Sequence, residues 1–447
     1  MSKLNSGARW YRWEPHIHAP GTIFNDQFGG VDKFEDYLTK LEDASPPIRA
    51  IGVTDYYLTD SYEKVRSAKD SGRLPNCDLI FPNIELRLDI ATQRGRQVNI
   101  HLLVSPEDPQ HLTELTRFLG RLTFEAFSDT FDCTKEDLIR LGKRFDDTKT
   151  GMAILRTGAE QFKINLSQLR TAYNQSKWAR ENILIAVAGS ETDGTSGVRD
   201  PADTILRQEI EAFAHIIFAS SPAQREFWLG ERSTSVAELK VRFGGLKPCM
   251  HGCDAHQMDT VGVPTADRYS WIKGSLEFDT LRQACIDPSG RAFVGPTVPL
   301  GASSSQVIAS LKIQNAQWAL TPELELNPGL VAIIGARGSG KTALADMIAL
   351  ACDAVVFPFA PASFLNRANE HLAGSTITIT WGTGEKVKRN LDETSRNEVG
   401  EYARARYLSQ QFVDELCSAE GMTDRLLEEI ERVIFESHPV AETDGTT

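Results

Sequence analysis

No apolar run in the 447 residues approaches the roughly 20 needed to cross a bilayer as a helix. The start, MSKLNSGARWYRWEPH, has no apolar core of the kind a signal peptide requires. Cationic excess is also missing: the formal charge is −13, so no global basic field draws the chain onto a polyanion. Any polynucleotide contact must then come from a local patch or from metal ions. Cysteine is sparse and unpatterned, seven in all, which excludes a disulfide framework and reads as reduced thiols. Cys249 and Cys253 flank His251, yet a zinc finger would need a second pair at suitable spacing. Repeats and low-complexity tracts are absent. These absences lead us to expect a cytoplasmic protein with no membrane partner. What remains is ordinary globular composition, 41% hydrophobic and 24% charged, at a length that calls for two or three domains.

Short apolar, β-branched runs recur through the first half, at 13–18, 50–55, 79–85, 98–104, 183–189, 215–219 and 248–254. Helical patterns fall between them, at 32–42, 60–71 and 202–213, and a mostly helical insertion spans about 106–180. Seven strands alternating with helices predict a parallel α/β sheet, open or closed into a barrel. A connecting segment with a helix and turns is expected at 266–306. Beyond it, strands are expected at 307–313, 320–326 and 329–334, the last running into a glycine-rich turn and a helix at 342–351. A hairpin is expected around Gly382–Gly384, and a charged helix at 422–435.

Residues of metal-ligand type sit where these strands end. His16 and His18 are two apart on the first strand, so both imidazoles face one side. Asp55 ends the second strand, Glu85 the third, His101 lies on the fourth, and Asp254 and His256 close the seventh. Parallel α/β folds build sites at the carboxyl ends of strands. Imidazoles with carboxylates suit zinc, manganese or iron, and Glu85 can bridge two ions. Two or three such cations would neutralise a phosphate ester and activate water, with Asp55, Glu85 and Asp254 as the catalytic carboxylates.

The order HxH, TD, Glu, His and DxH resembles the PHP (polymerase and histidinol phosphatase) phosphoesterases. That resemblance implies a distorted (βα)7 barrel over 1–265 holding two or three divalent metals. It assigns His16, His18, Glu85 and Asp254 to one metal, Glu85 and His101 to a second, and His256 to a third. Tyr56 stands where the family's pattern has histidine, and Glu191 is best placed to substitute for a missing ligand.

A second motif, Gly335-Ala-Arg-Gly338-Ser339-Gly340-Lys341-Thr342, is a complete Walker A sequence between a strand pattern and a helix pattern. Backbone N–H groups of its glycines cradle phosphate, Lys341 reaches the β- and γ-phosphates, and the Thr342 hydroxyl ligates Mg2+. The surrounding segment resembles SMC- and RecF-like ABC ATPases, implying ATP with Mg2+ and Gln410 as the Q-loop glutamine. The signature motif and Walker B aspartate of that family do not occur before Thr447, so 307–447 corresponds to an N-terminal, incomplete ATPase lobe. The whole resembles TrlF-type PHP–ATPase fusions. It implies a phosphoesterase, a nuclease on DNA or RNA, gated by ATP-driven pairing of heads in a homodimer or larger oligomer, in repair or phage defence. Two other readings stay open: a nucleotide-binding regulator or scaffold with a degenerate barrel, and a small-molecule phosphatase.

Overall fold

The computed structural model describes residues 7–30, 33–91, 97–189, 204–299, 301–355, 359–393 and 404–408. It divides into two compact units, one spanning Ala8–Pro299 and the other joining Leu300–Thr447 to Met1–Gly7.

The Ala8–Pro299 unit is built on a nine-stranded sheet and a small hairpin. In chain order its strands are β1 (Arg9–His18), β2 (Ile48–Tyr56), β3 (Leu79–Ala91), β4 (Gln97–Val104), β5 (Thr123–Ala126), β6 (Asp129–Asp132), β7 (Ile183–Ala188), β8 (Ile216–Phe218), β9 (Cys249–Met250), β10 (Tyr269–Gly274) and β11 (Ala292–Gly295). The sheet runs β11-β10-β1-β2-β3-β4-β7-β8-β9, with β5 and β6 paired separately. Its outer strands β11 and β9 come together, so the sheet curls nearly closed. β7 is apolar along its whole length, and β2 is buried along nearly all of its length, because both faces are covered. The helices are amphipathic: Phe34–Glu42 buries Phe34, Tyr37, Leu38 and Leu41 and turns its charges outward.

Two expectations need correcting. The sheet is mixed rather than parallel: β3 and β4, β4 and β7, β1 and β10, and β10 and β11 all pair antiparallel. Only five residues separate β3 from β4, too few for the crossover that parallel strands require. The segment expected to connect the domains instead supplies β10 and β11, with a helix Asp279–Ile286 whose Leu281 and Ala284 pack under the sheet. The insertion is helical, as its pattern suggests, apart from the β5–β6 hairpin.

The other unit contains an antiparallel sheet, ordered β13-β12-β14-β15, of β12 (Ile308–Gln314), β13 (Glu323–Glu325), β14 (Thr376–Trp381) and β15 (Lys386–Asn390). Met347 and Leu350 of the helix Lys341–Ala351 share a core with Leu311, Ile313, Ile377 and Ile379. Residues 329–334, expected as a strand, form none. Leu330 and Ile334 are 90% and 88% exposed, and without a neighbouring strand an extended backbone has nothing to satisfy its N–H and C=O groups. No described helix is long and apolar enough to cross a membrane.

Candidate metal centre

β1 sends Arg12, Glu14, His16 and His18 toward a cluster built with β3 and the loop after β9, and most of these side chains are fully buried. His16 Nε2 lies 3.2 Å from Asp254 Oδ1 and 3.7 Å from Glu85 Oε2. His18 Nε2 lies 3.4 Å from Glu85 Oε2 and 3.5 Å from Asp254 Oδ1, and His256 Nε2 lies 3.5 Å from the same Asp254 oxygen. Ligands about 2.1 Å from a tetrahedral ion would stand about 3.4 Å apart, so these spacings fit a cation. Two ligand trios result, His16–His18–Glu85 and His18–Asp254–His256, sharing His18. Nε2 of His18 and Oε2 of Glu85 are buried with no hydrogen-bond partner among the described residues. Buried polar atoms left so are costly unless something else satisfies them, and a divalent ion does that.

The surroundings set the donor atoms. His18 Nδ1 faces Thr22 Oγ1 at 3.2 Å and His101 Nδ1 faces Asn83 Oδ1 at 3.1 Å. With Nδ1 engaged, each ring turns Nε2 outward as the lone-pair nitrogen. Asn99 Nδ2 donates to Glu85 Oε1, which leaves Oε2 toward the histidines. Burial drives Glu85 and Asp254 toward neutrality, but the facing imidazoles win: Glu85 falls well below the carboxylate range and Asp254 to about 2. Burial holds His18 below its usual range and takes His101 to about 3. Anionic carboxylates and neutral imidazoles are the ionisation states metal ligation demands.

The loop after β9 is clamped onto β1. Asp254 N donates to the His16 carbonyl at 3.0 Å and Cys253 N to Glu14 Oε1 at 2.8 Å. Asp254 itself takes φ 46°, a left-handed conformation that re-aims its carboxylate. Arg12 underpins Glu14 at 3.9 Å while donating to the carbonyls of Pro46 and Gly262. Sequence reasoning missed Glu14, Thr22, Asn83 and Asn99; the HxH spacing extended back by two along β1 would have found Glu14.

Not every expected residue joins the cluster. His101 belongs to neither trio, although its ring lies 4.7 Å from that of His16 and both pack on Phe218 at the end of β8. It arrives by pairing opposite Glu85 on an antiparallel strand, not by ending a parallel one. Asp55, expected as catalytic, is absent from both trios: its two oxygens accept from Tyr56 N and Ser61 N, each at 3.0 Å, and hold the turn after β2. Tyr56 stacks on His18 at 5.0 Å. Glu191 lies outside the described residues.

In the other unit, Gly335, Gly338 and Gly340 all take positive φ ahead of the helix Lys341–Ala351. Lys341 Nζ donates to the carbonyls of Gly335 and Ala336, each at 2.9 Å, so the lysine folds over its own loop. Ser339 N donates to Ala336 O, and Thr342 is exposed. Asp346, one turn on, is buried and accepts from Ser363 Oγ and Phe364 N. Gln410 and the 422–435 stretch lie outside the described residues.

No family model matches the chain, and no curated protein matches it. Among solved structures, a protein of Bifidobacterium adolescentis described as a candidate metal-dependent phosphoesterase is similar at TM-score 0.30 and 13% identity, covering 62% of this chain and 96% of that one. Likeness at that level carries no weight about the site, which stands on its own geometry.

Proposed function

We propose that the Ala8–Pro299 unit is a metal-dependent phosphoesterase, that its substrate is DNA or RNA, and that an ATP-binding unit gates it. The observation that carries this reading is that Nε2 of His16 and Nε2 of His18 each lie 3.2–3.7 Å from both Glu85 Oε2 and Asp254 Oδ1. His16, His18, Glu85, Asp254 and His256 would hold one or two divalent ions, and His101 stands beside them. Such ions supply Lewis acidity toward a phosphoryl group and lower the pKa of water. The chain's own residues do the rest. Glu85 and Asp254 stay ionised, Asn83 and Thr22 fix the ring orientation of His101 and His18, and Phe218 and Tyr56 wall the site.

Support for the nucleotide part is the glycine-rich turn entering the helix Lys341–Ala351: three glycines at positive φ, a lysine within reach of the loop and an exposed Thr342. ATP with Mg2+ bound there, and pairing of two such units, would give the gating. The choice of polynucleotide rests on the resemblance to SMC-like ATPases.

Elemental analysis of the purified chain, with a panel of a phosphomonoester, bis(p-nitrophenyl) phosphate, single-stranded DNA and RNA, with and without ATP, tests it. We expect about one to two transition ions per chain and cleavage of diesters over monoesters, both lost on His16→Ala with His18→Ala. Preference for the monoester would favour a small-molecule phosphatase. A chain that binds ATP but neither metal nor diester would be a nucleotide-sensing regulator, and the proposal would be wrong.

A further inference from the structure

β3 does not stop at Glu85. Two residues on, Arg87 lies on the same side of the strand, which brings its guanidinium to the edge of the metal centre. The guanidinium carbon rests 3.9 Å from the centre of the Phe24 ring and 5.5 Å from that of Tyr56. Phe24 and Tyr56 meet edge to face at 4.6 Å, and Tyr56 in turn stacks on the ligand His18. One aromatic ring therefore separates Arg87 from the imidazole of His18.

Among the described residues, Arg87 makes no ion pair with a carboxylate, although arginines across this unit are paired, Arg49 with Asp78 and Arg73 with Glu42 among them. A second cation stands nearby. The stretch 162–164 runs beside β3, its Ile164 N donating to the Arg87 carbonyl at 2.9 Å, and Lys163 faces Arg87 closely enough to feel its charge. Lys163 Nζ donates only to main-chain carbonyls among its described partners, those of Glu160 and Phe162. Burial first, and then repulsion from Arg87, takes this lysine down to about 8. The carboxylate whose charge also reaches Lys163, that of Glu160, is paired with Arg156 at 3.3 Å. Two neighbouring cations without an ion pair of their own among the described residues are unfavourable in a bare protein and favourable once an anion is shared.

We propose that Arg87 and Lys163 form an anion subsite beside the metal centre that takes a second phosphate of the substrate. It rests on the phosphoesterase reading and narrows it to substrates carrying two phosphates a short linker apart. Arg87 supplies a planar fork that matches phosphate oxygens and is held in place by Phe24; Lys163 supplies a point charge. A merely structural arginine covering Phe24 would show no such preference.

The test is equilibrium binding by calorimetry, with Ca2+ present so that nothing is turned over. Two ligand pairs differ in one phosphate each: pTpT against TpT, and thymidine 3′,5′-bisphosphate against thymidine 5′-phosphate. The wild-type chain is expected to favour the two-phosphate member by about 10–100-fold, the range for a charge-assisted contact. Arg87→Met keeps the apolar stem on Phe24 and should bring that ratio close to one, with Arg87→Lys partly restoring it. Lys163→Met should lower it by about 3–10-fold. Loss on the dinucleotide pair alone points to the next phosphate of a polynucleotide; loss on the bisphosphate pair alone points to a small molecule. A wild-type ratio near one, or a ratio that survives in a folded Arg87→Met variant, overturns the subsite. Failure of the wild-type chain to cleave bis(p-nitrophenyl) phosphate would instead sink the phosphoesterase reading, and the binding ratios would still decide the subsite.

Discussion

Two buried carboxyls on neighbouring strands show how surroundings, not burial, assign a residue its job. Glu85 faces imidazoles and is held ionised, whereas Asp55 meets no cation, only hydrogen bonds from Ser61 and from the N–H of Tyr56, and burial pushes it from 3.8 to about 7. The native state thus keeps a proton on Asp55 that the unfolded chain releases near 3.8. Stability from this group is fully present below that value, falls as pH rises through the window, and is flat above about 7. Comparing wild type with Asp55→Asn by urea unfolding of chelator-treated protein should show the difference moving toward the variant by roughly 2–3 kcal/mol between pH 5 and pH 7. A difference independent of pH would mean that Asp55 is ionised in the fold. At the same scale, Asn83→Ala removes the acceptor that orients His101, and metal affinity measured by competition with a chelator should drop about 10–100-fold if His101 ligates.

The elements explain why those side chains meet. The loop after β9 reaches the cluster only by lying against β1, where a Cβ on Gly252 would come within 2.5 Å of the His16 carbonyl and 2.6 Å of Glu14 Oε1. A main-chain carbonyl cannot yield by that much. Gly252→Ala should therefore cost about 1–3 kcal/mol and lower metal content by displacing Asp254 and His256, as elemental analysis and thermal melting would show. Gly301→Ala, with nothing within 4 Å of its Cβ, is the neutral comparison. Much of this was legible in the sequence. Each of the seven expected strands exists, because apolar β-branched runs signal burial whatever the strand direction, and His16, His18, Glu85, Asp254 and His256 do converge. Direction was not read, because the expected strands at 79–85 and 98–104 left twelve residues between them, and only the extension of β3 to Ala91 and of β4 back to Gln97 shortens the link to five. Nor were β10 and β11 foreseen, because Tyr269–Gly274 and Ala292–Gly295 are short and interrupted by glycine and charge. The residues that orient the ligands stayed hidden for another reason: Asn83 against His101 and Asn99 against Glu85 matter through register, Glu85 opposite His101, and register is settled only when the strands pair.

At the scale of the molecule, a charge of −13 would leave any polyanion binding to local features, and the two units carry one candidate each: the histidine–carboxylate cluster with Arg87 and Lys163 beside it, and the glycine turn before Lys341. All five residues of the two ligand trios lie within Ala8–Pro299, as do the buried cores that hold them, so the losses should separate. A fragment of residues 8–299 is expected to melt in one transition and to bind metal at the stoichiometry of the full chain. In the full chain, Lys341→Ala deletes the charge poised over Gly335 and Ala336 and should weaken ATP binding by about 10–100-fold in a titration with a fluorescent analogue. Metal content of that variant should not change, because all five candidate ligands lie in the Ala8–Pro299 unit. Were Lys341→Ala to strip the metal as well, the two sites would share one folding unit. Were ATP to bind it as tightly as wild type, the glycine turn before Lys341 would be a helix entry and not a nucleotide site.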